Sequence, residues 1–206
     1  MRPPLSVIVL GAAIVAAFLL TGQYTPLSNP ALFERFAVTP ARFFPQYPGH
    51  YGSITDWLTP LFGHVFFHFG ALHLLMNGFA YIQVAPFLGA RLGDARFLVL
   101  FFVSALGGAL AYILINAGSQ TGAVGASGAI CGLFGAYFLS VRPTPRAALA
   151  DPQVRNAMLM FVGINVVLVA MLPLPIAWQA HLGGFVAGAL TYLLIAPRRR
   201  MMGPWG

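Results

Sequence analysis

Apolar runs separated by short polar or Gly- and Pro-rich breaks recur along this chain, at about residues 5–22, 66–88, 97–116, 127–141, 154–172 and 178–196. A bilayer's hydrocarbon core is ~30 Å thick and takes a helix of about 17 to 25 apolar residues, so runs of this kind read as transmembrane spans. Charge agrees: 7% of the residues are charged, against about a quarter in a soluble globular chain. The chain is therefore read as a single all-α membrane domain, residues 1–206, with six transmembrane helices and a long outer loop between the first and second spans. The first run follows Met1-Arg2-Pro3-Pro4 and shares a basic start and a short apolar core with secretory signals. It is read as a retained span.

A formal charge of +7 does not mark a nucleic-acid binder, because the basic residues punctuate apolar segments instead of clustering on one solvated face. Topology explains them, since short cytoplasmic loops are enriched in Lys and Arg. With both termini inside, Arg2, Arg91, Arg96, Arg142, Arg146, Arg155 and the Arg198-Arg199-Arg200 run are cytoplasmic, and only Arg35 and Arg42 lie outside. An odd number of spans would put Arg2 or the terminal arginine run on the wrong face, so an even number is expected. The chain is then a multi-pass protein of a bacterial cytoplasmic membrane, in contact with the lipid bilayer, its last arginines anchored at the anionic inner leaflet. The outer loop carries Pro26, Pro30, Pro40, Pro45 and Pro48, and its aromatics Phe33, Phe36, Phe43, Phe44, Tyr47 and Tyr51 suit the headgroup level. A lone cysteine, Cys131, permits no intrachain disulfide.

Polar groups inside such a bundle are expensive and are functional candidates by default. Here they are His64, His68, His73, Asn77, Ser127 and His181. His73 and Asn77 are one helical turn apart and share a face. In the six-span topology His73, Asn77, Ser127 and His181 all fall in the outer halves of their spans, so one layer can hold them. The fourth span is short: at ~1.5 Å per residue it reaches only about 22 Å, so Ser127 starts below the outer surface, fed by a Gly-rich loop that protein must cover. Gly128 with Gly132, and Gly184 with Gly188, form small-residue faces that let two helices approach closely. Such an approach brings the Ser127 hydroxyl toward His181, the base a serine needs to become a nucleophile. The carboxylates, Glu34, Asp56, Asp94 and Asp151, lie in the outer loop or on the cytoplasmic side. None is placed to orient His181, and a Ser-His dyad is expected, with His73, Asn77 and the Ser127 backbone N–H stabilising an oxyanion.

These residues stand in His68-Phe69-Gly70-Ala71-Leu72-His73-Leu74-Leu75-Met76-Asn77, Gly125-Ala126-Ser127-Gly128 and Ala180-His181-Leu182-Gly183-Gly184 with Gly188. In these motifs, their order and their spans, the chain resembles the rhomboid intramembrane serine proteases. The resemblance implies a six-helix core, a water-accessible dyad of Ser127 and His181, an oxyanion site at His73 and Asn77, no cofactor or metal, and cleavage of other proteins' transmembrane segments near small residues. It also implies a gate at the fifth span, capped by the loop from Met171 to Ala177. Three positions depart from the family: Cys131 stands where an aromatic often follows the serine by four, Trp57 is followed by Leu58 instead of arginine, and a glutamate common after the second span is replaced near Gly89.

Two other functions fit parts of the pattern. A haem or metal protein could draw on His64, His68, His73 and His181 as ligands, and a catalytically inactive relative could bind membrane segments without cutting them. The first leaves Gly125-Ala126-Ser127-Gly128 unexplained, and the second is at odds with retention of both Ser127 and His181. A zinc protease would need His-Glu-x-x-His and an aspartyl protease two intramembrane carboxylates. Neither is present.

Overall fold

The computed structural model describes residues 4–23, 28–142, 144–171 and 177–196. Among them the regular structure is helical: α1 (Leu5–Thr21), α2 (Pro30–Phe36), α3 (Ile54–Gly63), α4 (Ala71–Leu92), α5 (Asp94–Ile115), α6 (Ser127–Ser140), α7 (Pro145–Ala150), α8 (Pro152–Met171) and α9 (Trp178–Ile195). The strand-like pairing among these residues is an isolated antiparallel bridge, Val38 with Ala123. Among the described residues two helices, α4 and α5, are long and apolar enough to cross a bilayer by length and composition, and α1 and α6 are shorter apolar helices. Arg2, Pro26, the body of the 171–177 loop and Arg198 to Arg200 lie outside the described residues.

Lipid-facing surface is written on the outsides of these helices. Leu20 is 86% exposed and Leu194 85% exposed, and Leu72, Leu75, Phe79 and Leu190 also point away from the protein. Apolar surface in this quantity is not left bare to water by a soluble monomer.

Two boundaries differ from the sequence reading. The second apolar run does not become helical at Phe66: His64–Phe66 is a 3-10 turn, Phe67 is extended, and α4 begins only after Gly70. The segment 91–96, expected as a polar loop, shrinks to one residue. Gly93, at φ 77°, ends α4 and starts α5, a backbone conformation that glycine adopts without the Cβ penalty. On this side Asp94 accepts the Ser6 backbone N–H at 2.8 Å, capping α1 from α5. Tyr81 donates to the Val7 carbonyl at 2.9 Å, and Arg91 to the Tyr192 hydroxyl at 2.9 Å. At Gly89 a side chain would run into Val7 and Pro4, so the glycine serves the contact of α1 with α4.

The core lies among α4, α5, α6 and α9, filled by Leu88, Phe97, Leu100, Phe101 and Leu133, all fully buried. Helix α6 sits between α5 and α9 at backbone contact. A Cβ built on Gly184 would land on the Gly128 carbonyl oxygen, one on Gly188 on that of Gly132, and one on Gly132 on Ser104. With little hydrophobic force between helices in lipid, such close packing carries their association.

The outer loop is structured, and it folds over the entry to α6. Ser53 and Asp56 form a capping box that starts α3. Val38 and Ala123 exchange backbone hydrogen bonds at 2.9 and 3.0 Å, and the Ala41 N–H donates to the Ser119 carbonyl at 3.0 Å. Arg42 donates to the carbonyls of Gly49 and Glu34 and stacks over Tyr51 at 4.6 Å. Phe43 meets Tyr51 and Trp57 edge-on, at 4.9 and 5.2 Å between ring centroids. Phe43 and Tyr51 are thus buried, in a cluster that joins Val38 and Leu61 to Ala109, Tyr112 and Ile113 of α5.

Candidate active site

Ser127 opens α6, and the loop before it is pinned from several directions. The Gly125 N–H donates to the His64 carbonyl at 2.9 Å, Tyr112 donates to the Thr121 carbonyl at 3.0 Å, and Val124, Gly125 and Ala126 are buried. Irregular backbone at this point is therefore covered by protein, as its setting demands. His181 lies in the first turn of α9, its backbone N–H bonded to the Ala177 carbonyl at 3.3 Å. The glycine contacts of α6 with α9 bring the two side chains together: His181 Nε2 is 2.9 Å from Ser127 Oγ. Both residues are half-buried. A cavity of about 20 Å³ lined by His64, Gly108, Gly125, Ser127, Gly128 and Ala180 has room beside the serine for about one water molecule.

His73 and Asn77 stand on the inner end of this loop. The Phe69 N–H donates to His73 Nδ1 at 3.1 Å, so that nitrogen is bare and the ring's proton sits on Nε2, available to a ligand. The same ring lies against Gly125: a Cβ there would come within 2.6 Å of His73 Cε1 and 2.9 Å of Nε2. Asn77 is buried, and its Nδ2 donates to the His73 carbonyl at 2.9 Å. An amide nitrogen has two protons, which leaves one for a ligand.

Gly125 is at φ 118°, where an L side chain is strained even without a neighbour, and here His73 is the neighbour. Gly125→Ala is expected to move either the serine loop or the His73 ring and to lower the melting temperature of the purified protein, because an L residue at this φ is strained by about 1–2 kcal/mol; an unaltered melting temperature would show that the contact is not tight.

Of the remaining sequence candidates, His64 and His68 serve the scaffold. His64 Nδ1 is 2.8 Å from the Pro60 carbonyl, and burial pushes its pKa down to about 4, keeping the ring neutral. The His68 N–H donates to Gln23 Oε1 at 2.6 Å, tying the start of the outer loop to the entry of α4, and its ring meets His73 edge-on at 5.2 Å. Cys131 is a buried free thiol inside α6. Among the described residues no three His, Cys, Asp or Glu side chains gather as a metal site.

The sequence reading missed Asn165. On α8, its Oδ1 is 2.9 Å from His181 Nδ1. A search confined to carboxylates as partners for His181 passed over a neutral amide that can make the same bond. A signal was there to be read: Asn165 interrupts an apolar run and, in the six-span topology, lies in the outer half of the fifth span, the layer that holds the other candidates.

Comparison with known proteins gives the following. A family model described as Rhomboid domain matches residues 55–198. The rhomboid protease GlpG of Yersinia pestis (strain Pestoides F) is 30% identical over 190 residues, 90% of this chain and 60% of that one. RHOMBOID-like protein 1 of Arabidopsis thaliana is 35% identical over 140 residues, 67% of this chain and 35% of that one. RHOMBOID-like protein 5 of the same plant is 31% identical over 142 residues, 68% and 45% of the two chains. The chain thus spans between about a third and three fifths of the length of these curated relatives.

Proposed function

The chain belongs to the rhomboid family, and from that premise we propose that it is an intramembrane serine endopeptidase that hydrolyses peptide bonds in or near the transmembrane segments of other membrane proteins. The observation that carries the proposal is the 2.9 Å contact between Ser127 Oγ and His181 Nε2, made between helices that enter the same layer of the bundle. A six-span arrangement with both termini in the cytoplasm, in a bacterial cytoplasmic membrane, is part of the same reading.

In the proposed reaction neutral His181 takes the proton of Ser127 Oγ–H at Nε2 as Oγ attacks the carbonyl carbon of an unwound substrate segment. The carbonyl oxygen becomes an oxyanion, which accepts hydrogen bonds from His73 Nε2–H, the free Asn77 Nδ2–H and the Ser127 backbone N–H. The imidazolium returns its proton to the leaving amine as the C–N bond breaks, leaving an ester on Ser127. A water then gives its proton to His181 and attacks that ester. The new acid product leaves, and Oγ recovers the proton. No cofactor takes part.

The haem or metal reading leaves the Ser127–His181 contact without a role, since a ligating His181 would have to give up one of its two partners. A fluorophosphonate probe tests the nucleophile without needing a substrate. It is expected to label wild-type protein at Ser127, and to label neither Ser127→Ala nor His181→Ala; equal labelling of all three would remove the basis of the proposal.

A further inference from the structure

We propose that Asn165 is a positioning residue for His181, one that holds the imidazole in the tautomer a serine nucleophile requires; this rests on the Ser127–His181 reading above. A neutral imidazole carries one proton, and if it sits on Nε2 the ring presents a donor to Ser127 and cannot act as its base. Which nitrogen is bare is set by the bond the other one makes. Here that bond is to Asn165.

The amide has one orientation that satisfies every group. Its Nδ2 is 2.9 Å from the Phe161 carbonyl, one turn earlier on α8, and a carbonyl can only accept. Nδ2 is therefore the donor there, and Oδ1 is the atom 2.9 Å from His181 Nδ1. Oδ1 can only accept, so Nδ1 carries the proton and Nε2 is bare toward Ser127 Oγ at 2.9 Å. The reversed amide would set two acceptors against each other at Phe161. Phe161 also fixes where Asn165 sits: its ring stacks on Phe134 of α6 at 4.4 Å and lies 6.0 Å from Phe185 of α9. The anchor of α8 on the bundle and the acceptor for His181 are thus adjacent turns of one helix, so the active tautomer is set while α8 is docked.

The test compares wild type with Asn165→Leu, which keeps the volume and loses the acceptor, and Asn165→Asp, which restores an acceptor. Each is purified as the full chain in detergent and assayed with a model transmembrane substrate, with Ser127→Ala alongside. Asn165→Leu is expected to lower kcat by about 10- to 100-fold, the loss seen when the group that orients a metal-bound histidine is removed, with KM and melting temperature unchanged; Asn165→Asp is expected to recover most of the loss. The ¹⁵N spectrum of His181 should show a protonated Nδ1 and a bare Nε2 in wild type and a mixture of tautomers in Asn165→Leu, a change that a merely structural residue would not produce. Asn165→Ala gives the same reading if the leucine variant does not fold. Unaltered kcat and ¹⁵N shifts in Asn165→Leu beside an inactive Ser127→Ala would overturn the role of Asn165 alone, as would a rise in KM with kcat unchanged. Cleavage by Ser127→Ala would overturn the catalytic reading beneath it.

Discussion

Ser127→Ala and His181→Ala are each expected to reduce cleavage of a model transmembrane substrate by about 10⁴-fold or more, and the double variant by no more than either one. A hydroxyl whose proton has nowhere to go is a poor nucleophile, and a base whose partner hydroxyl, 2.9 Å away in the wild type, is gone has nothing to deprotonate. The two side chains act as one unit, and the losses of residues that act as a unit do not add. Neither change removes a group proposed to hold the substrate in its ground state, so KM should move little. Single-turnover cleavage in detergent, with folding checked by thermal melting, gives the numbers. Equal rates in wild type and both variants would dismiss Ser127 and His181 as the reacting pair, and losses that multiplied in the double variant would show that they work separately.

Gly184→Ala is expected to have the next largest effect, at a position with no polar atom of its own in the site. A methyl there would occupy the space of the Gly128 carbonyl oxygen. The obstacle is backbone in the first turn of α6, one residue past the nucleophile, so no side chain can swing aside. Overpacking of this kind costs about 1–3 kcal/mol. Relief requires α6 and α9 to separate, which carries Ser127 away from His181, and a displacement near 1 Å is worth about 10²-fold in rate. Gly163→Ala is the control: nothing lies within 4 Å of a Cβ at Gly163 on α8, and replacing an exposed helical glycine there should gain about 0.5–1 kcal/mol. A Gly184→Ala protein that melts and turns over like wild type would mean that the α6–α9 contact is not what sets the distance between Ser127 and His181.

The candidate residues could be named beforehand because rules local in the chain point to them. A histidine and an asparagine four apart share a helix face, and the bond the structure adds between them, Asn77 Nδ2 to the His73 carbonyl at 2.9 Å, runs along the helix backbone. Small residues at 128, 132, 184 and 188 can only mean close backbones, and those glycines do meet. What local rules did not reach was Asn165, because its importance depends on which side chain faces it from α9. The start of α4 was misplaced for a similar reason: Phe66 to Gly70 is apolar enough to continue a helix, but His68 is committed to Gln23, far back in the chain. Nor did local rules show that Phe43 and Tyr51 turn inward: an apolar ring in this loop suits either lipid or a protein contact, and Phe43 meets Tyr51 and Trp57.

Hydropathy and spacing settle that this chain is helical, that it belongs in a bilayer, and which few polar groups have to be accounted for there, since the cost of burying a polar group in lipid is paid residue by residue. Distances are another matter. That the hydroxyl on α6 faces a ring nitrogen on α9, with the amide on α8 behind it, follows from helix backbones touching at glycines and from hydrogen bonds between segments 16 and 54 residues apart. Those are properties of three helices packed at once, which no single stretch of chain encodes.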